Sequence, residues 1–204
     1  MTSQSPRLLE ALILDLGNVL VFHDNALLFD RLAAGFGTTV ESMKSRLDDN
    51  LWEKVNTGRL PGDSLRLELQ RSLGSEVTAE AFDLLWNCHF TLNVPMLRKV
   101  ESLVGRVKLG LLSNTHDLHL RFLRPMLPVL ERFDALILSY EEGLMKPAPE
   151  LYRRALEKLN VKPERAAFFD DVLRYAEGAS AVGIHGRLFT SAMDFDLQLA
   201  QLGL

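Results

Sequence analysis

The sequence predicts an α/β protein with a doubly wound parallel sheet and an inserted helical domain. Short apolar runs alternate with amphipathic helical patterns along much of the chain, which is typical of such sheets. Within these runs apolar and polar residues do not alternate, as expected for parallel strands covered by helices on both faces. The connection after the first run is far longer than a single crossover helix needs, which indicates an insertion.

The strands of the sheet are predicted from four apolar runs, at residues 11–14, 107–112, 134–138 and 166–169, and from a weaker fifth candidate at 183–189. Two of the intervening helical patterns open with a proline near the first turn and space their apolar residues by three and four, at residues 95–104 and 149–159.

The insertion has its own helical pattern. Four amphipathic segments separated by glycine-containing turns predict helices at residues 25–36, 40–55, 63–73 and 78–90. We therefore expect an α/β core formed by residues 1–22 and 95–204, and a helical module formed by residues 23–94, which is close to the lower size limit for a domain.

Composition restricts the classes of function. The 204 residues are 47% hydrophobic and 25% charged with a net charge of -4, so no basic surface for nucleic acid or anionic membranes is expected. The single cysteine, Cys88, excludes an internal disulfide framework and suits a reducing compartment. Because Asp15 and Asn18 interrupt the first apolar segment, it resembles neither a signal peptide nor a membrane span. We expect a cytoplasmic protein.

Polar side chains follow the predicted strands. In an open parallel sheet ligands bind beyond the carboxyl ends of the strands. Those ends carry three carboxylates, a hydroxyl, an amide and an ammonium, namely Asp15, Asp170, Asp171, Ser113, Asn114 and Lys146.

This set of groups favours phosphoryl chemistry. Three adjacent carboxylates repel one another unless a cation lies between them, and an all-oxygen site favours Mg²⁺. Ser113, Asn114 and Lys146 then supply donors and positive charge for phosphate oxygens, while Asp15 attacks phosphorus to give an aspartyl-phosphate. On this hypothesis a metal ion compensates the carboxylate of Asp15 among its apolar neighbours.

Each of these residues also has a purely structural interpretation. Asp15 fits a turn after a strand, and Asp170 or Asp171 fits the N-cap of the helix that follows. Similarly, Ser113 and Asn114 fit the cap of a helix near residue 117, and Lys146 fits a solvated loop. The sequence leaves these alternatives open.

Four segments in order, ILDLGNVL, LLSNT, MKPAPELYRRAL and AAFFDDVLRYAEGASAVGI, resemble the signature motifs of the haloacid dehalogenase superfamily. The helical module resembles the type 1 cap of that superfamily. The resemblance extends over about residues 9–184 and is greatest to a sugar-phosphatase-like branch whose first motif also reads Asp-Leu-Gly-Asn. It implies a Mg²⁺-dependent phosphatase with a Rossmann-like core.

The resemblance also implies roles for individual residues. Asp15 would be the nucleophile and a metal ligand. The other metal ligands would be the Gly17 carbonyl, Asp170 and Asp171, and the phosphoryl group would be bound by Leu16, Gly17, Ser113, Asn114 and Lys146. The turn between two helices of the module would bring Asn56 and Arg59 towards the substrate.

Gly17 departs from the superfamily pattern. An aspartate usually occupies this position and transfers protons as general acid and base, which is typically worth ~10²–10⁴-fold in rate. Glycine keeps the backbone ligand but supplies no proton, so we expect slow turnover on poor leaving groups unless His23 or Asp24 takes over this role.

Other distinctive residues receive structural interpretations. The spacing of His89, His116 and His119 does not fit a metal site, so we expect them at the surface or the edge of the core. Aromatic and thiol side chains of the insertion are expected in its own core, namely Trp52, Trp86 and Cys88.

Three functions follow from these observations. The first is a Mg²⁺-dependent phosphatase that hydrolyses small phosphorylated metabolites. The second, suggested by Gly17, is a catalytically weak protein that binds a phospho-metabolite. The third is a metal-free 2-haloacid dehalogenase, which the pair Asp170–Asp171 and the glycine at position 17 disfavour.

Overall fold

The computed structural model describes residues 9–204. In this part of the chain the strands are β1 (Ala11–Leu14), β2 (Val21–His23), β3 (Phe90–Leu92), β4 (Lys108–Ser113), β5 (Ala135–Leu138), β6 (Ala166–Asp170) and β7 (His185–Leu188). Five of them form a parallel sheet in the order β5-β4-β1-β6-β7. The predicted fold class and all five predicted strands are therefore confirmed, with bounds shifted by one or two residues at most ends.

The helices of the described chain are α1 (Asn25–Gly35), α2 (Val40–Arg46), α3 (Asp49–Asn56), α4 (Gly62–Leu73), α5 (Ala79–Asn87), α6 (Val94–Leu103), α7 (Asp117–Leu123), α8 (Ser139–Glu142), α9 (Pro149–Leu159), α10 (Leu173–Ala181) and α11 (Ala192–Gln201). Three short 3-10 segments lie at Arg124–Met126, Pro128–Arg132 and Pro163–Arg165.

Strand β1 lies at the centre of the sheet and is buried on both faces. Leu12 and Leu14 belong to the hydrophobic cluster on one face, whereas Ala11 and Ile13 belong to the cluster on the other. Full burial of an aliphatic side chain stabilises a fold by about 1.5–3 kcal/mol. This two-sided burial explains why the strand has no polar alternation before Asp15.

The helical module differs from its prediction in two places. Residues 40–55 form two helices, because Asp48 accepts a hydrogen bond from the Leu51 amide at 2.8 Å and starts α3 afresh. The last predicted helix ends at Asn87, and Phe90 begins strand β3 instead.

The module begins and ends on a two-stranded ribbon. Strands β2 and β3 pair antiparallel, with Val21 opposite Leu92 and His23 opposite Phe90. Division of the chain at residues 22 and 95 stays a prediction, and residues 1–8 of its first segment lie outside the described residues.

The helical module packs on the core beside the carboxyl end of β4. Leu118 of α7 is buried in the hydrophobic cluster of the module, and the Gly62 amide donates to Asp117 Oδ1 at 3.2 Å. Gly58 has a positive φ, and a Cβ there would lie 2.2 Å from the Tyr140 carbonyl oxygen, so the backbones approach as only glycine allows. Among the described helices, none has the length and hydropathy needed to cross a bilayer.

Candidate active site

Asp15, Lys146 and Asp170 form a buried ion-pair cluster at the carboxyl ends of β1 and β6. The Lys146 Nζ lies 2.8 Å from Asp15 Oδ1 and 2.6 Å from Asp170 Oδ2. All three side chains are almost completely buried. A buried carboxylate without a partner is strongly unfavourable, and here the ammonium of Lys146 compensates two of them.

The cluster perturbs the acidities of its members. Burial opposes the charge on Lys146, but the carboxylates of Asp15 and Asp170 outweigh it, so the pKa of Lys146 is raised. Burial raises the pKa of Asp170 to about 6, although Lys146 acts in the opposite direction. Burial therefore outweighs the neighbouring ammonium in setting the pKa of Asp170.

Asp171 brings a third carboxylate to the same place. One carboxylate oxygen from each of Asp15, Asp170 and Asp171 lies within 4.8 Å of the others. The Asn18 amide donates to Asp171 Oδ2 at 2.8 Å, and Asn18 adopts a left-handed backbone with a φ of 53°. With the charge of Lys146 included, two formal negative charges remain, so the oxygen ligands and the charge both fit a divalent cation.

The loop that carries Lys146 is held by Asn114. Asn114 Oδ1 accepts from the Lys146 amide at 2.7 Å, and its Nδ2 donates to the Lys146 carbonyl at 3.2 Å. Ser113 is the last residue of β4, and Thr115 is fixed by two hydrogen bonds of 2.9 Å with Ser139. The polar residues after β4 thus position the lysine as well as facing the site.

The structure decides between several of the interpretations that the sequence left open. His116, not Ser113 or Asn114, is the N-cap of α7. Val172 is the N-cap of α10 and has no side-chain capping bond, while Asp170 Oδ1 accepts from the Val172 amide at 2.8 Å. Lys146 is buried, so its interpretation as a solvated loop residue is wrong.

A cavity of about 540 Å³ lies above these groups, between the sheet edge and the helical module. The predicted site residues that line it are Asp15, Leu16, Gly17, Asn56, Ser113, Asn114, Lys146 and Asp171. Asp170 lies beneath it, fully buried against Lys146. Arg59 does not line the cavity, because its guanidinium pairs with Glu53 and donates to Thr57 Oγ1 at 2.9 Å.

His23 occupies the space beside Gly17. A Cβ on Gly17 would lie 3.2 Å from His23 Cδ2 and 3.3 Å from His23 Nε2. The Asn18 Nδ2 lies 3.2 Å from His23 Nε2, which is within hydrogen-bonding distance. Asp24 instead caps α1, accepting from the Ala26 and Leu27 amides.

Three further histidines lie where the module meets the core, which agrees with the second of their two predicted places, the edge of the core. His89 and His119 line the cavity, and His116 is fully buried and accepts from Trp86 Nε1 at 3.3 Å. Burial lowers the pKa of His89 to about 4, that of His116 to about 3 and that of His119 well below its usual range. Among the described residues, nothing pairs with His89 Nδ1 or His119 Nε2.

The aromatic and thiol residues of the insertion divide into three cases. Trp86 is fully buried in the core of the module, as predicted. Trp52 packs against that core with its ring centroid 5.4 Å from that of Trp86, but it also lines the cavity. The prediction for Cys88 is wrong, since this residue is exposed.

The cavity therefore contains residues that the sequence did not single out as site residues, including His89, Phe90, His119 and Tyr175. One feature of the sequence could have identified His119 as a site residue. It lies in the first turn of a helix that follows the end of a strand, and side chains there face the ligand-binding edge of a sheet. Tyr175 follows Asp171 in the same way, whereas His89 and Phe90 reach the site only through the fold of the module.

Comparisons with known proteins are consistent with this geometry. A family model described as haloacid dehalogenase-like hydrolase matches residues 9–183. D-ribitol-5-phosphate phosphatase of Bacteroides thetaiotaomicron is 28% identical over 178 residues, which cover 80% of this chain and 84% of that protein. Acyl-CoA dehydrogenase family member 10 of Mus musculus is 27% identical over 199 residues, but these cover 90% of this chain and 18% of that relative.

Among solved structures, a haloacid dehalogenase family enzyme from Bacteroides thetaiotaomicron, crystallised with magnesium and inorganic phosphate, shares the fold. It superposes with a TM-score of 0.80 at 24% identity, over 90% of this chain and 95% of that chain.

Proposed function

This chain belongs to the haloacid dehalogenase-like hydrolase family, and we propose that it is a Mg²⁺-dependent phosphatase that hydrolyses small phosphorylated metabolites through an aspartyl-phosphate. One observation carries the proposal: Asp15 lies within a cluster of three carboxylates and one ammonium on the floor of a cavity. The relative that acts on D-ribitol 5-phosphate supports the assignment as a phosphatase.

Asp15 is the nucleophile in this proposal. Its free carboxylate oxygen forms a bond to phosphorus, the bond from phosphorus to the alcohol oxygen breaks, and the alcohol leaves after it takes up a proton. Water then attacks the phosphorus of the aspartyl-phosphate, and inorganic phosphate and the free carboxylate are released. Lys146 holds the carboxylate of Asp15 in place through the 2.8 Å ion pair.

The three aspartates, with the Gly17 carbonyl, would hold one Mg²⁺, which supplies positive charge to the phosphoryl oxygens when it is bound. The fit rests on the 4.8 Å grouping of the carboxylate oxygens and on the excess negative charge around Lys146. The neighbouring structure with magnesium and phosphate supports this choice of ion. Ser113 and Asn114 line the cavity beside Lys146 and would donate to the phosphoryl group.

His23 is the group that we assign to proton transfer in place of the aspartate that Gly17 lacks. Its ring fills the space next to Gly17 and lines the cavity, whereas Asp24 is committed to the cap of α1. An imidazole in this position can give a proton to the leaving oxygen and take one from the attacking water.

Residues 23–94 act as the cap in this proposal and exclude water from the reacting groups. The ribbon of β2 and β3 at the base of this segment and the packing of Leu118 against it support the assignment. Location in the cytoplasm is part of the same proposal and is supported by the single cysteine.

Release of phosphate from p-nitrophenyl phosphate tests the function. We expect turnover with Mg²⁺, loss of turnover with EDTA, and at least a 10³-fold loss in Asp15→Asn, since a nucleophile has no substitute. Asp30→Asn is the matched control, because Asp30 is exposed on α1 outside the cavity. Activity that survives in Asp15→Asn would overturn the proposal.

A phosphate-binding protein without turnover is the second candidate, and the glycine at position 17 favours it. Rapid mixing with p-nitrophenyl phosphate separates the two functions. A burst of p-nitrophenol followed by slow turnover supports a slow phosphatase, whereas tight phosphate binding without a burst supports a binding protein.

A further inference from the structure

The two walls of the cavity differ in charge. Charged side chains line it only on the wall formed by the α/β core, where Asp15, Lys146, Asp171 and Arg174 are found among the described residues. The part of the lining that comes from residues 21–90 contains no carboxylate, ammonium or guanidinium group. Apart from His23, which lies beside Gly17, the wall formed by residues 21–90 therefore carries no fixed charge.

We propose that the substrate is the phosphate monoester of an uncharged, hydroxyl-bearing alcohol, and that the enzyme rejects phosphoesters whose alcohol part carries a carboxylate or a second phosphate. This inference rests on the proposed function, since it identifies the leaving group of that reaction. A charged leaving group enclosed against an uncharged wall would lose its hydration without gaining a partner. Phosphoesters with a charged alcohol part are thus excluded because that wall has no cation to pair with them.

The uncharged wall still offers specific contacts. Trp52 and Phe90 present aromatic surface, which suits the carbon face of a sugar or polyol. Asn56 and His89 add an amide and an imidazole group, and His119 adds a second imidazole from α7 of the core. These groups donate to and accept from hydroxyls. Because burial lowers the pKa of both His89 and His119, these rings are neutral near pH 7 and do not attract an anion.

The two cations on the core wall are already engaged. Lys146 pairs with Asp15 and Asp170. Arg174 donates to the Tyr175 hydroxyl at 2.9 Å, and its guanidinium carbon lies 4.8 Å from the centroid of the Tyr175 ring. Both cations belong to the core wall, so the wall formed by residues 21–90 supplies neither of them.

A matched pair of compounds tests the inference: sorbitol 6-phosphate and 6-phosphogluconate differ at one terminal carbon, which carries an alcohol in the first and a carboxylate in the second. We expect kcat/KM to be about 100-fold higher for sorbitol 6-phosphate, in line with the cost of an unpaired charge. Equal values of kcat/KM for the two compounds would overturn the inference.

Asn56→Lys places an ammonium on the uncharged wall and should reduce the preference at least tenfold, through improved use of 6-phosphogluconate. Asn50→Lys is the matched control, because Asn50 lies on the same helix, α3, but is exposed and outside the cavity lining. An equal change of preference in both variants would also contradict the inference.

Failure of the phosphatase function can be told apart from failure of this inference. If p-nitrophenyl phosphate is not hydrolysed with Mg²⁺, the proposed function fails. In that case the affinities of the two compounds for Asp15→Asn, measured by calorimetry, still test the inference. An affinity at least tenfold higher for sorbitol 6-phosphate supports the inference, and equal affinities overturn it.

Discussion

Lys146 Nζ lies 2.8 Å from Asp15 Oδ1 and joins it to Asp170, with the lysine and both carboxylates shielded from solvent. The lysine occupies the middle of a site whose carboxylates come from two strands far apart in the chain, β1 and β6. Its ammonium is therefore a structural group as well as a positive charge next to the proposed nucleophile.

Removal of this ammonium should destabilise the fold. In Lys146→Met two buried carboxylates lose their partner, and we expect the free energy of unfolding to fall by about 3–5 kcal/mol. Urea unfolding measures the change. The control, Lys158→Met, removes a half-exposed partner of Glu142 and should cost less than about 1 kcal/mol. Similar losses in both variants would show that the buried cluster contributes little.

His23 should matter most for poor leaving groups. In His23→Ala we expect kcat on an alkyl phosphate to fall about 100-fold, while kcat on p-nitrophenyl phosphate falls less than about fivefold, since nitrophenolate leaves without a proton. Restoration of the alkyl phosphatase activity by Gly17→Asp in the His23→Ala background, where the space beside residue 17 is free, would support this role. Equal losses on both substrates would instead indicate that His23 acts only by positioning Asn18 and Asp171.

Acid should destabilise the protein through its buried histidines. The pKa values of His89, His116 and His119 are lowered in the folded state, so below about pH 6.5 the unfolded chain binds more protons and the free energy of unfolding falls. The raised pKa of Asp170 has the opposite effect, because it increases the free energy of unfolding as the pH falls from about 6 to about 4. Of these four groups, only Asp170 acts in that direction, whereas the three histidines act in the other.

Urea unfolding at pH 7 and pH 5 measures this loss in the free energy of unfolding. His116→Asn keeps a side-chain acceptor at the N-cap of α7 and should remove about 2 kcal/mol of the difference between the two pH values. A wild-type protein that is equally stable at both pH values would contradict the burial of these rings.

Magnesium should raise thermal stability without any substrate. Binding to the folded state alone stabilises it by about 2.7 kcal/mol when the free ion exceeds its Kd 100-fold. Differential scanning calorimetry with and without Mg²⁺ should show this rise in the wild type and in Asp30→Asn, but not in Asp171→Asn. An undiminished rise in Asp171→Asn would exclude Asp171 from the ion site.

The sequence predicts well which residues meet at the carboxyl ends of the strands, because the topology of the sheet brings them together. Once β1, β4 and β6 are recognised as parallel neighbours, the residues that follow them must meet at one edge, as Asp15, Ser113 and Asp170 do. It was harder to predict that Lys146 pairs with these carboxylates, because this ion pair depends on how Asn114 holds the loop that carries Lys146.

The cavity residues that come from the helical module could not be predicted in the same way. His89 and Phe90 come to the site through the pairing of β2 with β3, a contact that spans the whole helical module. Arg59 and Asn56 share one turn, yet only Asn56 lines the cavity, since Glu53 lies within reach of the Arg59 guanidinium. Such choices depend on side-chain contacts, which periodicity does not specify.

A crystal structure of the protein with Mg²⁺ and beryllium fluoride tests the central claim most directly. We expect one magnesium ion bound by Asp15 and Asp170, with Asp171 bound directly or through water, and the fluoride complex attached to the free oxygen of Asp15. A magnesium ion bound elsewhere, or a fluoride complex that does not contact Asp15, would contradict the mechanism.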